Sequence, residues 1–169
     1  MQKIAQFEKV SFEQFKKDVE KVFRDKYTEA EIFGFWETVE LPTRATKGSA
    51  GYDFKIPFDL KMFKYTPYLI PTGIRCKMFD EWVLKIYPRS GLGTKHGFKL
   101  ENTTGIIDSD YYYSDNEGHI MLKVSQDKKD ILEIKSGQGI AQGIFSEYGI
   151  TFDDNVIANR NGGFGSTGK

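Results

Sequence analysis

The sequence has little of what marks a secreted, membrane-bound or nucleic-acid-binding protein. A single cysteine, Cys76, among 169 residues excludes a disulfide within the chain and favours a reducing compartment. The 24 basic and 24 acidic residues cancel, so no overall field attracts nucleic acid or an anionic membrane. No apolar run approaches the roughly 20 residues that a membrane helix needs. We therefore expect a soluble, cytoplasmic protein that binds neither nucleic acid nor membrane directly and holds any anion by local groups.

Histidine and cysteine are too scarce for most metal centres. The two histidines, His96 and His119, have no second histidine and no cysteine at ligand spacing, which argues against a histidine-bound metal. Cys76 lies in the alternating stretch IRCKM. We expect its side chain to be buried as a small hydrophobic group and to have no catalytic role.

Helical periodicity dominates the first forty residues. From Ser11 onward, apolar residues recur at helical spacing, and Ser11 with Gln14 predicts a capping box at the start of a helix. Thr28 with Glu31 repeats that signature and predicts a second, short helix that ends at Gly34. The apolar face of the first helix consists of Phe12, Phe15, Val19, Val22 and Phe23.

After Pro42 the hydrophobic period changes to two residues, which is typical of half-buried strands. Turn signals such as PTG at 71–73 separate many short strands, a pattern shared by sandwiches, jelly rolls and barrels. We expect an N-terminal helical extension at 1–40, an all-β body at 41–152 and a flexible, glycine-rich C-terminal arm at 153–169. The alternating positions are Tyr52, Phe54, Ile56 and Phe58; Ile74, Cys76 and Met78; Trp82, Leu84 and Ile86; and Ile120, Leu122 and Val124.

Four stretches of the β body differ from ordinary turns: AGYDF, YPRSGLGTKHG, NTTGIIDSDY and GQGIAQGIF, which begin at residues 50, 87, 102 and 137. The second is either a plain loop or a phosphate cradle, in which glycine lets the backbone approach an anion and Arg89 binds it bidentately. In the third, Asp108 and Asp110 follow an apolar strand, and we expect one of them to face the core. A carboxylate there is costly unless it is paired or functional, so we favour function for one of the two. Gln142 is either a satisfied core amide or a ligand contact.

Taken in order, AGYDF, PRSGLG, GIIDSDY, GIAQ and the C-terminal GGFGSTG resemble the five-motif series of the trimeric dUTP pyrophosphatases. The resemblance covers residues 50–168, and several motifs match nearly letter for letter. It implies an all-β jelly-roll fold, a homotrimer, and Mg²⁺-dependent hydrolysis of dUTP to dUMP and pyrophosphate. In the cell this reaction keeps uracil out of DNA and supplies dUMP for thymidylate synthesis.

The resemblance also implies roles for individual residues. Asp108 is implied to be the general base that activates a water for in-line attack on the α-phosphorus, and Tyr111 to exclude a ribose 2′-OH. Asp53 is implied to reach Mg²⁺ through water, in keeping with an ion that retains much of its hydration shell. Asn102 and Ile107 are implied to contact uracil. The implied phosphate contacts come from Arg89, Ser90, Gly91 and Gln142.

The C-terminal arm is implied to close over the active site of a neighbouring subunit. Phe164 would stack on uracil, and Arg160 would contact the phosphates. Ser166 and Thr167 would bond the γ-phosphate, while Gly165 and its neighbouring glycines let the backbone wrap the ligand.

Three features depart from the usual family pattern. Gly139 stands where an arginine usually precedes IAQ, so one positive contact is missing or is supplied elsewhere. One residue, Asn161, separates Arg160 from GGFGSTG, where two are common. The short turn after Tyr111 is expanded to YYSDNEGHI.

Two other functions fit parts of the sequence. A dCTP deaminase shares the fold and a related PRSSLA-like stretch, but GGFGSTG and Tyr111 favour the pyrophosphatase. A jelly-roll protein that binds nucleotide for regulation without turnover is the non-enzyme alternative, against which Asp108 argues.

The apolar face of the helical extension has two possible roles. It either packs on the β body or the trimer interface, which we favour, or forms a docking surface for a protein partner.

Overall fold

A computed structural model of the chain describes residues 2–158, which form twelve strands, three α-helices and one 3₁₀ helix. No helix in this part of the chain is long and apolar enough to cross a membrane. The strands are β1 (Ala5–Lys9), β2 (Thr43–Arg44), β3 (Tyr52–Lys55), β4 (Leu60–Phe63), β5 (Tyr68–Pro71), β6 (Ile74–Met78), β7 (Trp82–Pro88), β8 (Lys99–Leu100), β9 (Gly105–Ile107), β10 (Met121–Ser125), β11 (Ile131–Ile134) and β12 (Gly139–Glu147). The helices are α1 (Phe12–Phe23), α2 (Glu29–Thr38), α3 (Ser90–His96) and the 3₁₀ helix Ser109–Tyr113.

These strands pair in antiparallel fashion in four sheets. The largest sheet has the order β2-β3-β12-β7-β9, and the smaller sheets have the orders β5-β10-β8, β11-β4 and β1-β6. Strand β7 therefore has β12 on one side and β9 on the other. This arrangement decides which of the four unusual stretches lie close together.

The prediction of strands from the period of two is confirmed in the β body. On β6 the alternating positions Ile74, Cys76 and Met78 are all buried. Cys76 is 1% exposed, and its burial, together with the nearby charge of Glu8, raises the pKa of its thiol to about 12. A thiol of such high pKa is not a nucleophile at neutral pH, so Cys76 is the buried hydrophobic group that we expected.

The first strand, β1, forms where sequence analysis predicted only a helical extension. It pairs with β6, with Phe7 opposite Cys76. The Phe7 ring packs on Tyr52 and Phe54, at centroid distances of 5.4 and 5.7 Å. Because β1 carries a single large apolar side chain, its hydrophobic period gives almost no signal, and pairing with β6 determines its conformation.

Helix α1 begins where predicted, but its capping box is only half formed. The Ser11 hydroxyl accepts a hydrogen bond from the Gln14 backbone N–H at 3.1 Å. The Gln14 side chain, however, donates to Asp18 at 2.7 Å, and the Ser11 backbone N–H donates to Glu117 at 2.8 Å. The predicted reciprocal bond is therefore wrong, because a distant carboxylate satisfies that donor.

Helix α2 begins with the predicted capping box of Thr28 and Glu31. The prediction that Gly34 ends it is wrong, since α2 continues to Thr38. A Cβ at Gly34 would meet no atom within 4 Å, so this glycine faces open space and costs only its low helix propensity of about 1 kcal/mol. Ile32, 1% exposed, anchors the helix in the core and offsets that cost.

The apolar face of α1 packs on the β body. Phe15 and Val19 are 0% and 1% exposed and belong to the main core, and Phe12 and Phe23 pack against it. The packing interpretation of this face is thereby confirmed for these four residues. The segment boundaries after residues 40 and 152 stay predictions.

Candidate active site

Residues from three distant stretches of the sequence meet at one end of the five-stranded sheet. Asp53 on β3 lies directly opposite Gln142 on β12. Arg89 and Ser90 follow the end of β7, the other neighbour of β12. Together Asp53, Arg89, Ser90 and Gln142 line a cavity of about 410 Å³. The antiparallel register brings them together across nearly ninety residues of sequence.

Arg89 and Asp53 form an ion pair at the wall of this cavity. The Arg89 Nε atom lies 3.5 Å from Asp53 Oδ1, and the two side chains are 45% and 24% exposed. An ion pair this open to solvent contributes at most about 1 kcal/mol to stability. Its main effect is on geometry, because it fixes the guanidinium at the wall of the cavity that Ser90 also lines. The guanidinium and the carboxylate stay accessible to a ligand.

Two glycines provide the space that these side chains occupy. A Cβ at Gly51 would lie 2.7 Å from Gln142 Oε1, and a Cβ at Gly139 would lie 2.5 Å from Arg89 Nη1. Arg89 therefore lies across the backbone of Gly139. The register of β12 against β3 shifts between Gly139 and Ala141, and such irregularities often re-aim side chains beside active sites. The structure thus explains why residue 139 is a glycine, since any side chain there would displace Arg89.

A second cavity, of about 450 Å³, shares Arg89 and Ser90 with the first. Gly91, Lys95 and His96 of α3 also line it. We did not predict a role for Lys95 or His96 from the sequence, although the basic pair that follows PRSGLG was an available signal. The cavity is therefore flanked by the basic side chains of Arg89 and Lys95, which favours binding of an anion.

The third unusual stretch lies elsewhere on the sheet. Ile107, the last residue of β9, is opposite Leu84 of β7, and Asp108 follows it. Asp108 is half-buried, whereas Asp110 and Asn102 are exposed. Asp108 is thus the less exposed of the two aspartates, and an inward orientation for it stays a prediction.

Tyr111 lies in the 3₁₀ helix after Asp108, and hydrogen bonds to its hydroxyl hold its side chain in place. The side chain is 6% exposed, its hydroxyl donates to the His119 carbonyl at 2.8 Å, and Asn116 Nδ2 donates to that hydroxyl at 2.8 Å. The expanded turn that departs from the family pattern supplies both of these partners. The expanded turn therefore fixes the position of the Tyr111 hydroxyl.

Asp108 lies far from the cluster around Arg89 within one chain. Because Ile107 is opposite Leu84, Asp108 is level with a residue six positions before Arg89 on β7. At about 3.3 Å per residue this separation is roughly 20 Å. Burial, and then the negative charges of Asp108 and nearby acidic groups, raise the pKa of Tyr148, which lies beyond the far end of β12. One chain thus brings the first, second and fourth stretches together and leaves Asp108, in the third, toward the opposite end of β7.

Five predicted site residues lie outside the part of the chain that the structure describes. They are Arg160, Phe164, Gly165, Ser166 and Thr167. Their roles stay predictions.

A larger cavity, of about 780 Å³, lies between α1 and strands β4 and β11. Its lining combines apolar side chains such as Phe23, Leu60 and Ile134 with six charged residues: Lys21, Lys26, Asp59, Lys61, Glu133 and Lys135. None of the predicted site residues within 2–158 lines it. Size alone would therefore point to a different part of the molecule from the sequence motifs.

The family model for dUTPase matches residues 37–168. This chain belongs to the dUTPase family. It is similar to the deoxyuridine 5′-triphosphate nucleotidohydrolase of Lactococcus lactis, with 36% identity over 133 residues that cover 77% of this chain and 89% of the relative. The protein of the same name from Escherichia coli is 37% identical over 137 residues, which cover 76% of this chain and 87% of the relative.

Solved dUTPase structures have the same fold. The crystal structure of the dUTPase from Streptococcus mutans matches with a TM-score of 0.64 and 29% identity, covering 86% of this chain and 97% of the other. A Staphylococcus bacteriophage 80alpha dUTPase with bound dUpNHpp matches with a TM-score of 0.66 and 16% identity, covering 93% and 98%. The predicted dUTPase-like jelly roll is thereby confirmed. Helix α1 lies outside the residues that the dUTPase family model matches.

Proposed function

We propose that this dUTPase-family protein hydrolyses dUTP to dUMP and pyrophosphate. The observation that carries the proposal is the cluster of Asp53, Arg89, Ser90 and Gln142 around one cavity. It combines a carboxylate, a guanidinium, a hydroxyl and an amide, which are the groups that a phosphate chain with a divalent cation requires. The names of the relatives that are 36% and 37% identical support dUTP as the substrate.

In this proposal the α- and β-phosphates bind at the Arg89 end of the cavity. The planar guanidinium donates two parallel hydrogen bonds to phosphate oxygens, an arrangement that lysine cannot make. Ser90 and the backbone N–H of Gly91 add donors, and the missing side chain at Gly91 allows close approach. Gln142 contributes an amide donor, and Lys95 in the adjoining cavity adds positive charge.

The residues at this cavity fit a magnesium ion that binds together with the substrate. Asp53 presents a hard oxygen donor beside the phosphate-binding groups. Within residues 2–158 no three His, Cys, Asp or Glu side chains are grouped to hold a metal by themselves. Mg²⁺ commonly combines one or two carboxylates with substrate phosphates and retained waters, so Asp53 would hold it through water. When bound, Mg²⁺ would neutralise charge that develops on the phosphates.

Asp108 is the proposed general base. Its carboxylate takes a proton from a water whose oxygen forms a bond to the α-phosphorus, while the bond from that phosphorus to the bridging oxygen breaks and pyrophosphate leaves with the electron pair. Tyr111 lies against the deoxyribose and excludes a 2′-OH. Asn102 and Ile107 contact uracil, and a base with other donors and acceptors would leave buried polar groups unpaired.

The separation of Asp108 from Arg89, roughly 20 Å along β7, supports a site shared between two copies of the chain. A general base must lie within hydrogen-bond reach of the attacking water, which itself lies about 3 Å from the phosphorus. A homotrimer in which Asp108 of one subunit faces Arg89 of the next satisfies both conditions. The C-terminal arm would then close the site, with Phe164 on uracil, Arg160 on the phosphates, and residues 165–167 at the γ-phosphate.

Pyrophosphate release from dUTP, dCTP, dTTP and UTP, measured in parallel with Mg²⁺, tests the reaction. Turnover of dUTP alone is expected, and Asp108→Asn should lower kcat by about 100-fold or more, since it removes the base. Ammonia release from dCTP would move the assignment to a deaminase. Tight binding of dUTP without turnover would indicate a regulatory nucleotide-binding protein.

Mixing impaired subunits tests the shared site. Asp108→Asn and Arg89→Ala chains, each with strongly reduced activity alone, should regain part of the wild-type activity after they are unfolded and refolded together, because some interfaces then carry two intact halves. A mixture that is no more active than its components, although it assembles, would show that each chain carries a complete site.

A further inference from the structure

The N-terminal segment is tied to the loop that follows Asp108 by three side-chain contacts. Each contact joins β1, the start of α1, or the middle of α1 to residues 112–119. The contacts are Tyr112 hydroxyl to Glu8 carboxylate at 2.8 Å, Ser11 backbone N–H and hydroxyl to Glu117 carboxylate at 2.8 and 2.6 Å, and His119 Nδ1 to Asp18 Oδ2 at 2.6 Å. The segment thus holds this loop at both ends and in the middle.

The Asp18–His119 contact is the most buried of the three. The side chains of His119 and Asp18 are 0% and 13% exposed. His119 Nε2 accepts a hydrogen bond from the Gly73 backbone N–H at 2.8 Å, so the ring proton lies on Nδ1 and is donated to Asp18. Both ring nitrogens are therefore engaged, and the orientation of the imidazole is fixed.

Asp18 is charged in this environment. Burial is the largest single influence and would raise its pKa, but the hydrogen bonds from His119 and from Gln14, the latter at 2.7 Å, together with nearby positive charge such as that of Lys21, outweigh burial and lower the pKa. The contact to His119 is thus a charge-assisted hydrogen bond, which is stronger than a neutral one.

His119 in turn holds Tyr111. The backbone carbonyl of His119 accepts the Tyr111 hydroxyl at 2.8 Å, so a shift of His119 moves the partner of that hydroxyl. On the other side, Gly118 has a φ of +70°, and a Cβ there would lie 2.7 Å from the Tyr111 carbonyl oxygen. The backbone of Gly118 therefore packs so closely on the backbone of Tyr111 that no side chain fits between them.

We infer that Asp18 is a positioning residue for Tyr111, and that the N-terminal segment sets how strictly the enzyme discriminates deoxyribose from ribose. The inference rests on the proposed function, in which the Tyr111 ring meets the sugar. Asp18 itself lies on α1, outside the residues that match the family model, and acts only through His119.

Kinetics with dUTP and UTP test this role in the full-length protein. Asp18→Ala should reduce the ratio of kcat/KM for dUTP to that for UTP by roughly tenfold, the effect of losing one charge-assisted hydrogen bond. Asp18→Asn should restore most of the ratio, because its amide oxygen can still accept from His119 Nδ1. The neighbouring Lys17, which is exposed, provides the matched control, and Lys17→Ala should leave the ratio unchanged.

A role in stability alone predicts a different result. An Asp18→Ala protein that is less stable but keeps the wild-type ratio in its folded fraction would overturn the inference. Where Asp18→Ala does not fold, Glu8→Ala serves instead, since it removes the acceptor of the hydroxyl of Tyr112, the neighbour of Tyr111, and should lower the ratio in the same direction.

Hydrogen exchange separates this inference from the proposed function. In Asp18→Ala, amides of residues 111–119 should exchange faster than in the wild type, while the strands of the five-stranded sheet stay unchanged. If the wild type fails to turn over dUTP, the proposed function fails, yet the exchange result still tests the coupling. Unchanged exchange at 111–119 would refute the coupling whatever the enzyme does.

Discussion

Gly139→Ala should weaken dUTP binding although it adds a single methyl group. The new Cβ would lie 2.5 Å from Arg89 Nη1 and 3.1 Å from its Cδ, distances that require Arg89 to move. Arg89 is a flexible, 45% exposed side chain, so it can move at little cost to folding. What changes is the position of the guanidinium relative to Ser90 and the phosphates.

The expected magnitude follows from the contact that is displaced. A hydrogen bond to a charged group contributes about 1.5–3 kcal/mol, and about 1.4 kcal/mol corresponds to a factor of ten in affinity. A displaced arginine retains part of its attraction for phosphate, so we expect the lower end of this range. KM for dUTP should rise about tenfold with a smaller change in kcat, as for the loss of a contact made equally in the ground and transition states.

Steady-state kinetics in a pyrophosphate-release assay measure this effect, with Gly34→Ala as the matched control. A Cβ at Gly34 meets no atom within 4 Å, so that variant should keep the wild-type KM and gain about 1 kcal/mol in helix stability. The same Gly139→Ala change in an Arg89→Ala background should have no further effect on KM, because the two residues act through one contact.

Two results would refute this reasoning. A folded Gly139→Ala protein with the wild-type KM would show that the position of Arg89 over Gly139 is irrelevant to the phosphates. An additional rise of KM in the Arg89→Ala background would show that Gly139 acts by some other route, such as the backbone of β12.

Three other perturbations test the buried cysteine, the Glu8 contact and the C-terminal arm. Cys76 should resist iodoacetamide in the native protein and react in urea, because burial raises its pKa to about 12; rapid native labelling would contradict this. The Tyr112 hydrogen bond lowers the pKa of Glu8, so its contribution to stability is complete above the ordinary pKa of about 4.3 and is lost as pH falls through the lower folded value. Urea titrations from pH 3 to 7 should therefore show a flatter pH dependence for Glu8→Gln, and an unchanged slope would count against the contact. Removing residues 159–169 should lower kcat/KM for dUTP by about 100-fold while the oligomer stays folded, and full activity would exclude a closing role for the arm.

Local signals predicted most of the secondary structure. The period of two located the strands around Ile74, Cys76 and Met78, and the Thr28–Glu31 capping box located the start of α2. Such signals succeed because a side chain's face and a helix cap depend on residues only a few positions apart. They failed at Gly34 and at β1, where packing and pairing with distant residues outweigh local preference.

The sequence by itself determined the family and, through the family resemblance, the residues that we propose carry chemistry at the candidate site. Ordered motifs with Asp53, Arg89, Ser90, Asp108 and Gln142 identify the family without coordinates. Motif order, however, gives no distances between motifs.

Only the tertiary structure decided which of these residues meet. The register of β12 against β3 and β7 unites Asp53, Gln142 and Arg89, while the pairing of β9 with β7 places Asp108 roughly 20 Å away. Likewise, nothing local indicates that Asp18 bonds His119, which lies 101 residues further along the chain. Strand register and long-range hydrogen bonds depend on how the whole chain packs its core, so they are properties of the fold and not of any short stretch.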